Sequence, residues 1–218
     1  MTLEIKSIQE IATLPIIVVL YRAGTSGEFF SHAITQSFDS ITKTDQFWQN
    51  NNRCKYLDLF NRNLNSGFET IDHNEIIRGI GIYFDRNNPT DTTHIVMAHP
   101  DASSMIFLQE HLSFAHFIEI TANNFKSKKF MAIAAKTKIA QTSDKININF
   151  SRLPPGQVEK KFPKHLCIEW EDFVLNDTES VFYSVSEFIQ KPGNIDTFCS
   201  CVADYKQRNL DLLNTLND

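Results

Sequence analysis

Long apolar runs are missing from this chain. Its most hydrophobic stretch is Pro15-Ile16-Ile17-Val18-Val19-Leu20-Tyr21, far short of the roughly 20 residues that a membrane-spanning helix needs. No membrane role is therefore expected. An excess of cations is missing too: 21 Lys plus Arg stand against 26 Asp plus Glu among 218 residues, a net charge of -5. Non-specific nucleic-acid binding draws its affinity from neutralised phosphates, so no nucleic-acid partner is expected, although a local basic pocket stays open. Glycine and proline are sparse at 7 each, which rules out a collagenous, linker-like or low-complexity chain. The four cysteines, Cys54, Cys167, Cys199 and Cys201, follow no disulfide framework, and Cys199-Ser200-Cys201 has no second half for a zinc site. They read as reduced thiols, with a metal or redox role for the Cys199/Cys201 pair as the alternative. Residues 1–14 mix Glu4, Lys6 and Glu10 with apolar residues and contain no signal-peptide core. The expected location is the cytoplasm.

Apolar side chain, by contrast, is plentiful: 42% of residues are hydrophobic and 18 are Phe, enough for one substantial core. The pattern along the chain alternates between two periods. Residues 3–13 read as a short amphipathic helix stopped by Pro15. Residues 16–21 form a continuous β-branched and apolar run, the mark of a strand covered on both faces. After Gly24-Thr25-Ser26-Gly27, residues 28–38 carry Phe29, Phe30, Ala33 and Ile34 at helical spacing. Further on, strands are expected at 92–98, 116–121 and 166–170. Helices are expected at 73–84, 103–113, 125–136, 177–190 and 195–216. The stretches 39–68 and 141–163 are loop-rich. Strands alternating with helices imply a mainly parallel sheet with helices on both faces. The expected fold is one three-layer α/β/α domain over residues 1–218.

The piece that carries chemistry is the run from Ile16 to Phe30, a buried strand entering a Gly-containing loop and then a helix. Such a turn aims backbone N–H groups at one point, and the helix dipole favours an anion there. Gly24 permits close backbone approach, Thr25 and Ser26 bring hydroxyl donors, and Arg22 brings fixed positive charge. These residues describe a phosphate cradle. The pattern GxxxxGK[ST] is not met, because no Lys precedes Thr25 or Ser26, so ATP or GTP hydrolysis is not expected.

Arg22-Ala23-Gly24-Thr25-Ser26 resembles the nucleotide loop of the sulfotransferase family, [Lys/Arg]-Ser-Gly-Thr-[Thr/Ser], with Ala23 in place of the usual Ser. Three further stretches follow in the family's order. Thr93-His94-Ile95-Val96-Met97-Ala98-His99-Pro100 resembles the strand that ends near the family's catalytic His, with Met97 standing where the family has Lys. His116-Phe117-Ile118-Glu119-Ile120-Thr121-Ala122-Asn123-Asn124 resembles the strand before the 3′-phosphate turn, with Thr121-Ala122 where the family has Arg. Cys167-Ile168-Glu169-Trp170-Glu171-Asp172-Phe173 resembles the late strand and its Glu-Asp step. The resemblance covers about half the chain or somewhat more, in segments 15–38, 92–136 and 165–212.

What the resemblance implies is specific. The fold would be P-loop NTPase-like. The donor would be 3′-phosphoadenosine 5′-phosphosulfate, its 5′ end held by Arg22, Ala23, Gly24, Thr25, Ser26 and Gly27. Its 3′-phosphate would lie near Asn123, Ser127 and Lys128, with Lys126 or Lys129 as alternative sources of charge. His99 would be the general base toward a hydroxyl or amine of a small-molecule or glycan acceptor, and Arg22 would neutralise the departing oxygen, without a metal. The first alternative is a non-catalytic nucleotide- or partner-binding protein on a degenerate fold of this kind. A hydrolase built on Ser26, His99 and Asp101 is the second, and it fails the GxSxG pattern because Glu28 replaces the last Gly. Oligomeric state stays open, a homodimer among the arrangements.

Overall fold

The computed structural model describes residues 15–21, 26–41, 57–58, 93–98, 102–123, 126, 128–130, 133, 162–214 and 216. The expected helices at 3–13 and 73–84 and most of the loop-rich stretches 39–68 and 141–163 lie outside the described residues.

Strand β1 is Ile16–Tyr21, and each of its six side chains is buried. Such a run has no polar face to offer water, so it can sit only at the centre of a covered sheet. It does. Strands β2 (Leu57–Asp58), β3 (His94–Ala98), β4 (His116–Thr121) and β5 (His165–Glu169) complete a sheet in the order β2-β3-β1-β4-β5. Every pairing is parallel: Val18 lies between Val96 on β3 and Phe117 on β4, and Phe117 in turn pairs with His165 on β5.

Alternation divides the strand side chains between two faces. Ile17, Val19, Tyr21, Ile95, Met97, Ile118, Ile120 and Ile168 enter one cluster with three helices. These are α1 (Gly27–Ser37), and, after α2 (Ala102–His111), α3 (Thr178–Ile189) and α4 (Ile195–Arg208). Helix α1 buries Phe29, Phe30, Ala33 and Ile34, as its periodicity requires. Aromatic pairs knit this layer: Phe30 meets Phe173 edge-on at 4.9 Å, Phe38 stacks on Phe182 at 5.4 Å, and Phe29 stacks on Tyr205 at 4.3 Å. Each such pair adds about 0.5–1.5 kcal/mol beyond area burial. Two serines inside α1 stay buried because each hydroxyl donates one turn back, Ser31 to Gly27 O at 2.9 Å and Ser37 to Ala33 O at 2.6 Å.

The opposite face carries Ile16, Val18, Leu20, Val96 and Phe117, all buried, as are Met105, Phe107 and Leu108 of α2. Phe162 stacks on Phe117 at 3.7 Å. Toward β5 this face turns polar: the imidazole of His165 lies 3.2 Å from the Glu119 carboxylate, with side chains only 6% and 7% exposed. No helix among the described residues is long and apolar enough to cross a membrane.

Several expectations shift. The strand expected at 166–170 runs one residue earlier, and Trp170 already belongs to the helical turn that follows. That turn continues as a π-helical segment, Asp172–Asn176, closed by Asp177 N–H donating to Asp172 O at 3.0 Å. The helix expected over 195–216 is broken at Asn209, whose side-chain amide donates to Tyr205 O at 2.9 Å. A side chain that bonds its own preceding turn competes with helix continuation, and α5 (Leu210–Asn214) restarts beyond it. Within the segment expected as a helix at 125–136, the described residues 126, 128–130 and 133 are helical.

Candidate functional site

Because all strands run parallel, their carboxyl ends share one edge of the sheet. Tyr21 is registered with Ile120, Leu20 with Ala98, and Thr121 with Glu169. On one side of β1 lie β3 and β2, and on the other β4 and β5. Right-handed crossovers then send the connections from β1 and from β3 to opposite faces of the sheet. Open α/β sheets take ligands beyond the strand ends at such a reversal of direction.

The chain re-enters the described structure at Ser26, the cap of α1, and the turn is held tight there. A Cβ on Gly27 would lie 2.0 Å from Cγ of Tyr21, so only glycine lets the helix start this close to the strand it leaves. Ser26 itself adopts a left-handed conformation, φ 61° and ψ 25°, which is strained for a residue with a side chain. Its hydroxyl makes no bond to the first turn of α1. Instead it accepts from Nε1 of Trp170 at 3.2 Å and is hydrogen-bonded to the Tyr205 hydroxyl. Trp170 is fully buried and Tyr205 nearly so. Burial pushes the Tyr205 phenol up to about 12, opposed in part by its bond to Ser26, so it is a neutral hydroxyl at physiological pH.

No family model, curated protein or solved structure matches this chain.

The sequence-derived site residues therefore rest on their own geometry. Ser26 and Gly27 stand at the turn between β1 and α1. Asn123 is exposed just past the end of β4, and its amide donates to Oε1 of Glu169 at the end of β5, 2.5 Å away. Lys128 is helical and exposed. Arg22, Ala23, Gly24, Thr25, His99, Asp101 and Ser127 lie outside the described residues. Covalent connectivity makes Arg22 the residue after Tyr21 and His99 the residue after Ala98.

Beside Tyr205 a pocket of about 40 Å³ is lined by Phe29, His32, Cys201, Asp204, Tyr205 and Arg208. It has room for a small number of waters and not for a nucleotide. Burial, reinforced by the Arg208 guanidinium, holds the His32 imidazole below its ordinary value. Among the described residues no group of three or more His, Cys, Asp or Glu is arranged to hold a metal ion.

Two side chains bonded to Ser26 escaped the sequence reading. Trp170 and Tyr205 lie 144 and 179 positions from Ser26. No local pattern ties a Trp after a late strand, or a Tyr on a carboxyl-terminal helix, to a loop near the start of the chain. The only signal is weak: Trp N–H and Tyr O–H groups that enter a core need a polar partner.

Proposed function

We propose that this protein is a sulfotransferase-like enzyme that moves a sulfuryl group from 3′-phosphoadenosine 5′-phosphosulfate to a hydroxyl or amine of a small-molecule or glycan acceptor. The observation that carries the reading is how closely Gly27, at the start of α1, approaches Tyr21, the last residue of β1, which is the central strand of a parallel sheet at the switch point of its strand order. That is the setting in which backbone N–H groups and a helix dipole collect a phosphate. The strand order is compatible with the P-loop-like fold that the motif resemblance implies. In this reading the protein is cytoplasmic and needs no metal.

The chemistry follows from the residue types. His99 would take the acceptor proton as the acceptor oxygen or nitrogen attacks sulfur in line, a contribution of about 10²–10⁴-fold for a positioned base. Arg22 and the loop amides would stabilise the charge that gathers on the departing phosphate oxygen. Ser26 would contribute through its backbone, since its hydroxyl already serves Trp170 and Tyr205.

One observation favours the second reading, a binding protein without transferase activity. At the end of β4, where the family's 3′-phosphate Arg would stand, the chain has Thr121-Ala122, and Asn123 holds the Glu169 carboxylate there instead. A carboxylate near that position opposes a phosphate. The transferase reading, and the second reading in its nucleotide-binding form, require the nucleotide to bind. The expected result is that 3′-phosphoadenosine 5′-phosphate raises the Tm, by about 5–11 °C at 100 times its Kd, and that Arg22→Ala abolishes the shift. No shift at millimolar ligand refutes the transferase and the nucleotide-binding form of the alternative. Transfer from labelled donor that disappears in His99→Ala supports the enzyme; transfer unchanged in that variant refutes the assignment of the base.

A further inference from the structure

We propose that Glu169 is a specificity-determining residue that takes a ribose hydroxyl and repels a 3′-phosphate, so that the ligand fitting best is a nucleoside 5′-phosphate with its 2′,3′-diol free. The proposal rests on reading the carboxyl edge of the sheet as a nucleotide site, which the transferase and its nucleotide-binding alternative share. It names which nucleotide that edge prefers.

The sheet register places the residue. Tyr21, the last residue of β1, pairs with Ile120, and the next residue of β4, Thr121, pairs with Glu169. Neighbouring strands lie about 4.7–4.9 Å apart. The ends of β4 and β5 therefore stand about 5 and 10 Å to one side of the end of β1. Trp170, the residue after Glu169, reaches Ser26 at the start of α1, 3.2 Å away. A nucleoside that extends from a phosphate at the start of α1 toward β4 and β5 brings its sugar to Asn123 and Glu169.

The chemistry of the pair suits a diol. A carboxylate only accepts, so Asn123 must turn its amide nitrogen to Glu169, and Nδ2–H donates to Oε1 at 2.5 Å. Oε2 of Glu169 and Oδ1 of Asn123 are then two acceptors with no partner among the described residues. Glu169 is half-buried and Asn123 exposed, so a ligand can reach both. The two O–H groups of a ribose match those two acceptors. Open parallel sheets use an acidic side chain beyond a strand end in this way. A 3′-phosphate meets the reverse, because it can only accept and carries the same sign of charge as Glu169. The Thr121 hydroxyl cannot serve it, since it donates to Ile168 O at 3.3 Å. Lys126 and Lys128 are exposed on the helical segment that follows, yet no cation among the described residues is ion-paired with Glu169.

Three nucleotides and one substitution supply the test. Adenosine 5′-monophosphate, 3′-deoxyadenosine 5′-monophosphate and 3′-phosphoadenosine 5′-phosphate are titrated calorimetrically into wild type and Glu169→Gln. Glutamine keeps the length of the side chain and an acceptor for Asn123, but it removes the charge and turns the other acceptor into a donor. Wild type should bind adenosine 5′-monophosphate about tenfold more tightly than either of the other two, the equivalent of one hydrogen bond to a charged group. In Glu169→Gln both ratios should fall to within about threefold of one.

The outcomes separate this proposal from the functional reading. Tighter binding of the 3′-phosphorylated nucleotide by wild type overturns the proposal and leaves the nucleotide reading standing. Equal binding of the 3′-deoxy nucleotide does the same, as do ratios that Glu169→Gln leaves unchanged, since residue and hydroxyl are then uncoupled. If none of the three binds wild type, the nucleotide reading itself fails and the proposal falls with it. Should Glu169→Gln not fold, the wild-type ratios decide.

Discussion

Replacing Gly27 by Ala tests how tightly β1 and α1 are joined. The new Cβ would lie 2.0 Å from Cγ, 2.4 Å from Cβ and 2.5 Å from Cδ1 of Tyr21. Ordinary carbon contacts lie at about 3.5–4.0 Å, so the tyrosine must retreat by about 1.5 Å. It has little room to do so: Tyr21 is 6% exposed, its backbone is paired with Ile120 on β4, and its ring belongs to the main core. Overpacking of this kind costs about 1–3 kcal/mol. Removing glycine's backbone freedom offsets up to about 1 kcal/mol. The net expectation is a loss of about 1–2 kcal/mol, or about 2–8 °C in Tm for a chain of this size. Urea denaturation should show a lower midpoint with an unchanged slope. Tyr21→Ala removes the contacts with Cγ and Cδ1 but keeps the Cβ at 2.4 Å, so Gly27→Ala should cost less in that background without becoming neutral. If Gly27→Ala is neutral in the wild-type protein, or costs as much in the Tyr21→Ala background, the steric argument is wrong.

Two further outcomes follow from polar groups in the core. His165→Leu would strand the buried Glu119 carboxylate and should cost about 3 kcal/mol, whereas Glu119→Leu/His165→Leu should recover most of that loss. Simple additivity of the two single losses in urea denaturation would show that the pair is not coupled. Burial lowers the pKa of His32 and of His116 from 6.5 in the folded protein. Between those lowered values and 6.5 the unfolded chain binds more protons, so stability should fall as pH drops below about 6.5. His32→Gln should flatten that acid slope, measured as Tm against pH; an identical slope in the variant would count against the His32 contribution.

Much of the sheet could be read from residue order alone. Ile16–Tyr21 and His116–Thr121 were expected at the boundaries observed, because strands buried on both faces leave unbroken apolar runs or nearly so. Helix α1 was legible within one residue at each end from Phe29, Phe30, Ala33 and Ile34. The two-residue β2 was not, since so short an edge strand has no periodicity to display. The π-helical turn at Asp172–Asn176 and the break at Asn209 also went unread, because both depend on hydrogen bonds that local propensity does not encode.

For the candidate site the division is sharper. A buried strand, a glycine-bearing loop and an amphipathic helix are local facts, and local composition determined them along with the expectation of an anion. The sheet order that makes β1 central, the contact that forbids a side chain at Gly27, and the seizure of the Ser26 hydroxyl by Trp170 and Tyr205 were decided by tertiary packing. The reason is physical. A hydroxyl at a helix start has a default partner in its own first turn, and only groups brought from 144 and 179 residues away could take it elsewhere.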